Sequence, residues 1–117
     1  TVTVISDGKF INKGPWGKGA PVDMGPTVVV RSKGIEVILT DRRIQPSDPE
    51  AFRSLGIEPS QRKILVMKSI SNYRAAFSSI AKEIIEVMTP GIGSPDLTTF
   101  TYRRVRRPIF PLDPLPW

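Results

Sequence analysis

Residues 27–40, TVVVRSKGIEVILT, decide the fold class of this chain. Two runs rich in Val and Ile flank Lys33 and Gly34, and a short connection containing Gly between two such runs is typical of a tight antiparallel hairpin. The apolar letters are nearly continuous, which indicates burial on both faces of at least part of the sheet. The sequence therefore predicts a hairpin within a largely antiparallel sheet.

The segment before the hairpin predicts further strands and a loop. Residues 1–6, TVTVIS, alternate β-branched and polar side chains, which is typical of a strand. The DG dipeptide at 7–8 is a hairpin turn signal, and a second strand can follow it. Residues 14–26 hold four Gly and three Pro, so they form a loop. It is either a surface connection or a binding loop, because Trp16 and Met24 are large apolar groups for an idle connection.

A short helix follows the hairpin, and its start and end are both marked. Asp48 can accept the free N–H groups of a first turn, and Pro49 fits the first helical position. Gly56 is the expected left-handed stop. Phe52 and Leu55 are three residues apart, so they point to one face and should pack on the sheet.

The second half of the chain predicts a strand, the main helix and a tail. Residues 62–68, RKILVMK, indicate a central strand. From 71 to 88 apolar residues recur at helical spacing, which predicts the main helix with a core-facing stripe. The stripe comprises Tyr73, Ala76, Phe77, Ile80, Ile84, Val87 and Met88. Residues 98–105 predict a last short strand, and residues 105–117 predict a Pro-rich extended tail.

Together these elements predict a single α/β domain over residues 1–117. Its sheet should be mixed and largely antiparallel, with one long and one short helix packed on it and an extended C-terminal tail. The length of 117 residues fits one domain with a modest core.

Composition excludes several chemistries from this chain. There is no Cys and no His, so a disulfide framework, a thiolate site, a Ser–His triad and a His-ligated zinc site are all ruled out. The 11 Asp and Glu residues show no metal-ligand spacing. The net charge is +6, and four Arg within residues 103–107 account for most of it, so the basicity is local. No apolar run reaches membrane-spanning length, and no signal peptide is recognisable.

The junction between the predicted strand and the main helix is the first candidate site. A strand leading into a helix points free backbone N–H groups at the carboxyl end of the strand, where ligands gather in α/β sheets. Lys68 and Arg74 would add positive charge for an anion, and Ser69 or Ser71 can cap the helix. The alternative is that the Ser side chains only cap and both cations are solvated, since no Gly-rich cradle is present.

Two Arg-containing segments are weaker candidates. Residues 41–46, DRRIQP, also follow a strand, and Arg42 offers a planar fork for a carboxylate or phosphate unless it pairs with a local acid. Residues 102–107, YRRVRR, superficially resemble a nucleic-acid patch, with Tyr102 to stack on a base and Arg to contact phosphates. Only one aromatic residue is interleaved, so a solvated strand edge or salt bridges to another domain is the favoured interpretation.

Four blocks of the chain together resemble one family. They are MGPTVVVRSKGIEVILTDRRIQPSDPEAFRSLGIEPSQRKILVMKS (24–69), NYRAAFSSIAKEII (72–85), TPGIGSPDLTTFTYRR (89–104) and RRPIFPLDP (106–114). In this order they are similar to the C-terminal region of the MlrC-like proteins, which are named for a microcystin-degrading bacterial metallopeptidase. The resemblance covers nearly the whole chain and is specific for the family, not for a substrate.

The resemblance implies that this chain is one part of a longer bacterial protein, and its start without Met supports the expectation of a fragment. The zinc site of the family, built from His and acidic residues, lies in the larger N-terminal portion. Zinc is therefore expected there, with no cofactor in this chain. The chain would be the C-terminal domain of an MlrC-like zinc metallopeptidase or amide hydrolase, inactive alone, and would shape or cover the substrate site.

The junction and the segment at 41–46 supply the candidates for substrate contact, and the resemblance strengthens Lys68, Ser69 and Asn72 among them. No catalytic residue and no metal ligand is expected in this chain. The candidates are Lys68, Ser69, Asn72 and Arg74, with Arg42 and Gln45 as further ones. Asn72 stands where the family commonly has His, so this position can form hydrogen bonds but cannot titrate near neutral pH. Asp41 also departs from the family pattern, and pairing with Arg42 or Arg43 would reduce the availability of either guanidinium.

The expected partners are the N-terminal metal-binding domain of the same protein and a peptide or amide substrate. We expect a cytoplasmic location and no membrane contact, and a homo-oligomer is left open. Two alternatives belong to other classes of protein. The first is a purely structural or interaction domain, and the second is a basic nucleic-acid-binding module.

Overall fold

The computed structural model describes residues 1–69, 71–89, 94 and 96–114. The elements in chain order are β1 (Val2–Ser6), β2 (Lys9–Ile11), β3 (Pro21–Asp23), β4 (Thr27–Ser32), β5 (Ile35–Thr40), α1 (Glu50–Arg53) and α2 (Arg74–Phe77), with 3₁₀ turns at Pro59–Gln61 and Leu97–Thr99. The fold is a sheet-dominated α/β arrangement. Contacts divide the chain into two compact units, Thr1–Ile84 and Ile85–Trp117. The single domain over 1–117 stays a prediction.

Two small antiparallel sheets carry the first unit. β4 is the middle strand of the sheet β1–β4–β5, and β2 pairs with β3 in the other sheet. In the β4–β5 hairpin Val29 lies opposite Ile38. The turn residues Lys33 and Gly34 have φ angles of 48° and 82°, as a two-residue hairpin turn requires. The antiparallel hairpin predicted over 27–40 is therefore confirmed.

The DG dipeptide at 7–8 turns the chain without forming a hairpin. β1 pairs with β4 and β2 pairs with β3, so the predicted pairing between the first two strands is wrong. Gly8 is buried at a φ of 71°, and its carbonyl accepts the N–H of Met24 at 2.9 Å. Because this backbone bond draws Gly8 toward β3, the chain leaves the first sheet at the turn and enters the second.

The Gly- and Pro-rich segment at 14–26 is not a loop throughout, because β3 lies within it. The Asn12 N–H donates to the Ala20 carbonyl at 3.0 Å, which folds the segment back on β2. Met24 is one of the most buried side chains of the core, whereas Trp16 is exposed. Packing therefore accounts for Met24.

The signals at Asp48 and Gly56 flank α1 as the sequence predicts, although α1 begins at Glu50, so that Pro49 is the N-cap and not the first helical residue. The Asp48 carboxylate accepts the Glu50 N–H at 2.9 Å, and Gly56 has a φ of 75°. Phe52 and Leu55 are both buried in the core. Local capping signals thus place a short helix correctly, although its four helical residues would be marginal without the packing of these side chains.

Residues 63–69 form no strand, so the predicted central strand at 62–68 is wrong. Leu65 and Met67 pack against the core, but Ile64 and Val66 are 81% and 87% exposed. Side-chain burial thus alternates as it does in a strand. Among the described residues, none forms a backbone–backbone hydrogen bond with this segment, which we call the unpaired segment. The continuous apolar run predicted a central strand, and neither the exposure of Ile64 and Val66 nor the lack of a neighbouring strand follows from it.

α2 is much shorter than the main helix predicted over 71–88, and that prediction of a long helix is not confirmed. Tyr73, Ala76 and Phe77 enter the core as expected, and Phe77 meets the ring of Phe52 edge-on at 6.0 Å. Helical hydrogen bonds continue only to Ala81. The residues after α2 include one Ser pair, at 78–79, and the β-branched Ile80, Ile84, Ile85 and Val87. Both kinds of side chain favour helices weakly, so a helix forms there only if an apolar face packs.

The outer face of the sheet β1–β4–β5 is apolar and exposed. Pairing places Ile5, Val28 and Leu39 in one row across the three strands, and Val2, Val30 and Val37 in another. The members on β1 and β5 are exposed, and those on β4 are half-buried. The predicted burial on both faces is therefore not seen within the described part of the chain. We call these six side chains the outer sheet face.

The second unit contains turns and no strand among its described residues. The strand predicted at 98–105 is absent, because Asp96 caps a 3₁₀ turn by accepting the Thr98 N–H at 2.9 Å. The extended tail predicted at 105–117 is not confirmed either. Arg107 pairs with Asp113, and the Asp113 N–H donates to the Ile109 carbonyl at 2.9 Å, so this part folds back on itself. Residues 115–117 lie outside the described residues.

No helix within the described residues is both long enough and apolar enough to cross a lipid bilayer.

Candidate functional site

Three of the candidate side chains form a chain of hydrogen bonds on the surface of the first unit. The Asn72 Nδ2–H donates to Gln45 Oε1 at 3.0 Å, and the Gln45 Nε2–H donates to Ser69 Oγ at 3.0 Å. We call Gln45, Ser69 and Asn72 the polar triplet. All three polar groups are uncharged, and none of them titrates near neutral pH.

Three separate segments position the polar triplet. Gln45 lies in the connection between β5 and α1, Ser69 ends the unpaired segment, and Asn72 lies in the turn before α2. The core beneath them holds these segments together, because Met67 and Tyr73 both pack against it. Gln45 is therefore the central member of the triplet, although the sequence ranks it among the weaker candidates.

The three charged candidates, Lys68, Arg74 and Arg42, are all exposed. Lys68 is exposed and adjoins Ser69 in the chain. The Arg74 guanidinium lies over the Tyr73 ring, 5.7 Å from its centre, in cation–π geometry. The Arg42 guanidinium pairs with Asp23 and not with Asp41, so a carboxylate does occupy it, but not the one that the sequence suggested. The Gly25 N–H and then Arg42 hold the pKa of Asp23 below its ordinary value.

The helix terminus adds little to an anion site at this junction. α2 comprises Arg74–Phe77, which is one turn. A single turn does not sum enough aligned peptide dipoles to favour negative charge strongly. Any attraction for an anion here would come from the Lys68 side chain.

A buried carboxylate that the sequence identifies only as a helix cap has a second role. Asp48 is 2% exposed, and its Oδ2 accepts the N–H groups of Lys13 and Gly14 at 2.9 and 2.7 Å. Its Oδ1 accepts the Glu50 N–H. One side chain therefore joins the segment after β2 to the start of α1. No local pattern identifies this contact, because the partners are 34 and 35 positions apart.

An open cleft of about 240 Å³ lies beside Asp48, but its charged groups are already paired. Lys13 Nζ lies 2.9 Å from Glu50 Oε2, and Arg53 contacts both Glu50 and Glu58. The other lining residues have small or apolar side chains, and they are Gly14, Pro15, Pro49, Ala75, Ala76, Ser79 and Ile80. The geometry favours a structural role for this cleft.

Glu58 should stabilise the fold in a pH-dependent way. Its bond to Arg53, followed by that to Ser60, lowers the pKa of the Glu58 carboxyl from 4.5 to about 2. A lowered folded-state pKa gives stability that is complete above the unfolded value and is lost as the pH falls from about 4.5 to about 2. We expect Glu58→Gln to be less stable than the parent near neutral pH, with a difference that shrinks below about pH 4.5 and closes only below about pH 2. Urea unfolding across that range is the measurement.

Glu83→Gln is the matched control for this effect, because Glu83 is exposed. Its unfolding curve should follow that of the parent chain at every pH. The same pH-dependent loss of stability in both variants would contradict the role of the Arg53–Glu58 pair.

The residues of this chain do not fit a zinc site. His and Cys are absent from the sequence, and among the described residues no three Asp or Glu side chains come close enough to hold a metal ion. The class that the fold and site define is therefore a small sheet-based α/β domain with a neutral polar surface site.

The chain belongs to the family described as MlrC C-terminus, whose model matches residues 1–104. Microcystinase C from a Sphingomonas species is 26% identical over 98 residues, which is 84% of this chain and 18% of that protein. The crystal structure of a candidate metallopeptidase from Mesorhizobium sp. BNC1 matches with a TM-score of 0.77 and 28% identity, covering all of this chain and 23% of the other. The chain thus spans about a fifth of the relatives it matches.

Proposed function

We propose that this chain is the C-terminal domain of an MlrC-family zinc metallopeptidase or amide hydrolase and is inactive alone. In this role the polar triplet faces the substrate site of a companion N-terminal domain that binds the metal. The proposal is supported by the family match over residues 1–104 and by the names of the two relatives. The observation that carries the site is the hydrogen-bonded arrangement of Gln45 with Ser69 and Asn72.

The triplet is suited to binding a peptide group. Each amide side chain has a second N–H and further acceptor capacity beyond the bond that joins the triplet, and the Ser69 hydroxyl can still donate its own hydrogen. Lys68 beside it can attract a substrate carboxylate. Since no member of the triplet titrates near neutral pH, its role is to bind and orient the substrate, and proton transfer belongs to the companion domain.

Zinc belongs to the companion domain in this proposal, because the donor set of this chain does not fit it. When bound there, zinc would activate water and polarise the amide carbonyl. The protein would act in the cytoplasm on a peptide or amide substrate. The purified 117-residue chain should therefore neither bind stoichiometric zinc nor hydrolyse peptides. Either result would contradict the proposal that the companion domain holds the metal and carries out catalysis.

Removing either end of the Asn72–Gln45 bond should lower activity in the longer polypeptide that carries this chain. We expect Gln45→Ala and Asn72→Ala each to reduce kcat/KM by about 10-fold or more, since a hydrogen bond to a bound substrate contributes roughly 1–2 kcal/mol. The measurement is amine release from a mixture of short linear peptides by the zinc-loaded protein.

Gln61→Ala is the matched control, because Gln61 is exposed at the end of a 3₁₀ turn. It should keep the parent kcat/KM, and all three variants should keep the parent Tm within a few degrees. Full activity in folded Gln45→Ala and Asn72→Ala would reject the substrate role and leave the domain with a purely structural one.

A further inference from the structure

The unpaired segment, residues 63–69, has the side-chain pattern of a strand without the neighbour that a strand needs. Leu65 and Met67 are fixed against the core on one side. Ile64 and Val66 on the other side are 81% and 87% exposed. Within the described residues this β-branched pair is exposed on a backbone that forms no ladder bond, which resembles an unprotected strand edge. Native proteins normally cover such an edge or block it with charge or Pro.

The backbone of the segment points to the same conclusion. Within the described residues no backbone group donates to it or accepts from it. Neighbouring Lys63 and Lys68 carry charge, but they lie at its two ends and leave the centre apolar. A row of unsatisfied N–H and C=O groups beside exposed apolar side chains is the template used in strand addition, in which main-chain bonds give affinity and alternate side chains fill pockets.

We infer that residues 63–68 become a β-strand by pairing with a strand of the companion part of an MlrC-family polypeptide. This inference rests on the proposed function and names the contact between the two parts. The relatives supply the reason for this occupant, because about four-fifths of the length of each lies outside the match to this chain. Proteins of this family therefore contain a companion part of that size in the same polypeptide. In this inference the unpaired segment is the surface to which it binds.

The position of the polar triplet agrees with this pairing. Ser69 is the last residue of the unpaired segment, so a strand of the companion domain laid along residues 63–68 would end beside the triplet. Ligands in α/β sheets gather at the carboxyl ends of strands, and this arrangement would place the triplet at such an end. Pairing therefore explains how side chains from this chain reach a substrate site housed elsewhere.

Hydrogen–deuterium exchange tests the pairing directly and requires neither zinc nor substrate. In the 117-residue chain, the amides of residues 64–68 should exchange at rates near those of an unstructured peptide. In the longer polypeptide the alternate amides that point toward the added strand should exchange roughly 100-fold or more slowly, because ladder bonds protect the amides that donate them. The amides of the β4–β5 hairpin, such as those of Val29 and Ile38, should be protected in both proteins and serve as the internal reference.

A pair of variants separates main-chain pairing from side-chain contact. Val66→Pro removes one N–H, whereas Val66→Thr keeps the N–H and the branched shape. In the longer polypeptide Val66→Pro should return the amides of 64–68 to fast exchange, and Val66→Thr should keep at least a tenth of the protection factor. Both variants should leave the 117-residue chain unchanged.

Equal, fast exchange of residues 64–68 in both proteins overturns the pairing even if the longer polypeptide hydrolyses peptides, in which case the proposed function stands. Protection of the segment in a polypeptide that hydrolyses no amide supports the pairing and contradicts the proposed function. Equal protection in the Val66→Pro and parent polypeptides would show that side chains, not a ladder, cover the segment, which also overturns the inference.

Discussion

Replacing Asp48 by Ala should lower the free energy of unfolding by about 3–5 kcal/mol. The carboxylate is almost fully buried and accepts three backbone N–H groups, from Lys13, Gly14 and Glu50. The substitution leaves these donors without an acceptor in a place where water cannot readily replace it. It also releases the segment after β2 from the start of α1. Urea unfolding at neutral pH measures the loss.

Two further Asp variants identify the cause. Asp48→Asn keeps one acceptor oxygen, so it should lose less stability than Asp48→Ala. Asp41→Ala makes the same exchange at an exposed carboxylate and should stay within about 0.5 kcal/mol of the parent. If Asp48→Ala were no more destabilising than Asp41→Ala, the three hydrogen bonds would not contribute to stability as the geometry indicates.

Gly8→Ala should be about as damaging, with a loss on the order of 3–5 kcal/mol. A Cβ atom at this position would lie 2.2 Å from the Gly25 carbonyl oxygen and 2.6 Å from Thr27 Oγ1. The first of these is a backbone atom that cannot move without disturbing the start of β4. The φ angle of 71° adds strain for any residue with a Cβ. Thermal or urea unfolding of the variant is the measurement.

Gly19→Ala is a control that separates the two causes. Gly19 has a φ of 83°, but nothing lies within 4 Å of the position of its added Cβ. This variant should lose only the backbone term of about 1–2 kcal/mol. A similar loss in both variants would mean that the left-handed conformation alone, and not the approach of the two sheets at Gly8, limits this position.

Local signals predicted those parts of the fold that depend on short-range geometry. The turn at Lys33 and Gly34 and the ends of α1 at Asp48 and Gly56 each follow from the conformational limits of one or two residues. The predicted strand at 62–68 and the helix at 71–88 rested on apolar periodicity alone. Periodicity predicted the burial of Tyr73, Ala76 and Phe77 correctly, but Val87 and Met88 of the same predicted stripe are exposed. It does not supply the neighbouring strand or the packed surface that the element requires.

In the candidate site too, the sequence indicated individual residues but not the long-range contacts between them. The resemblance to a family strengthened Ser69 and Asn72 as candidates, and Gln45 was a weaker one, but no pattern in the sequence predicted that Gln45 would lie between the other two. It bonds across 24 and 27 positions, so its place depends on the folded core beneath it. Whether these side chains contact a substrate stays a prediction. The role of Asp48 in holding residues 13 and 14 was missed for the same reason.

The outer sheet face also affects how separate copies of this chain behave toward one another in solution. The exposed Val, Ile and Leu side chains of this face favour association with the same face of a second copy. The net charge of +6 on each copy opposes that association. The repulsion extends over about 10 Å at 0.1 M salt and over about 3 Å at 1 M, while the attraction between apolar surfaces does not weaken as salt rises. The colloidal stability of the isolated chain is therefore controlled by ionic strength.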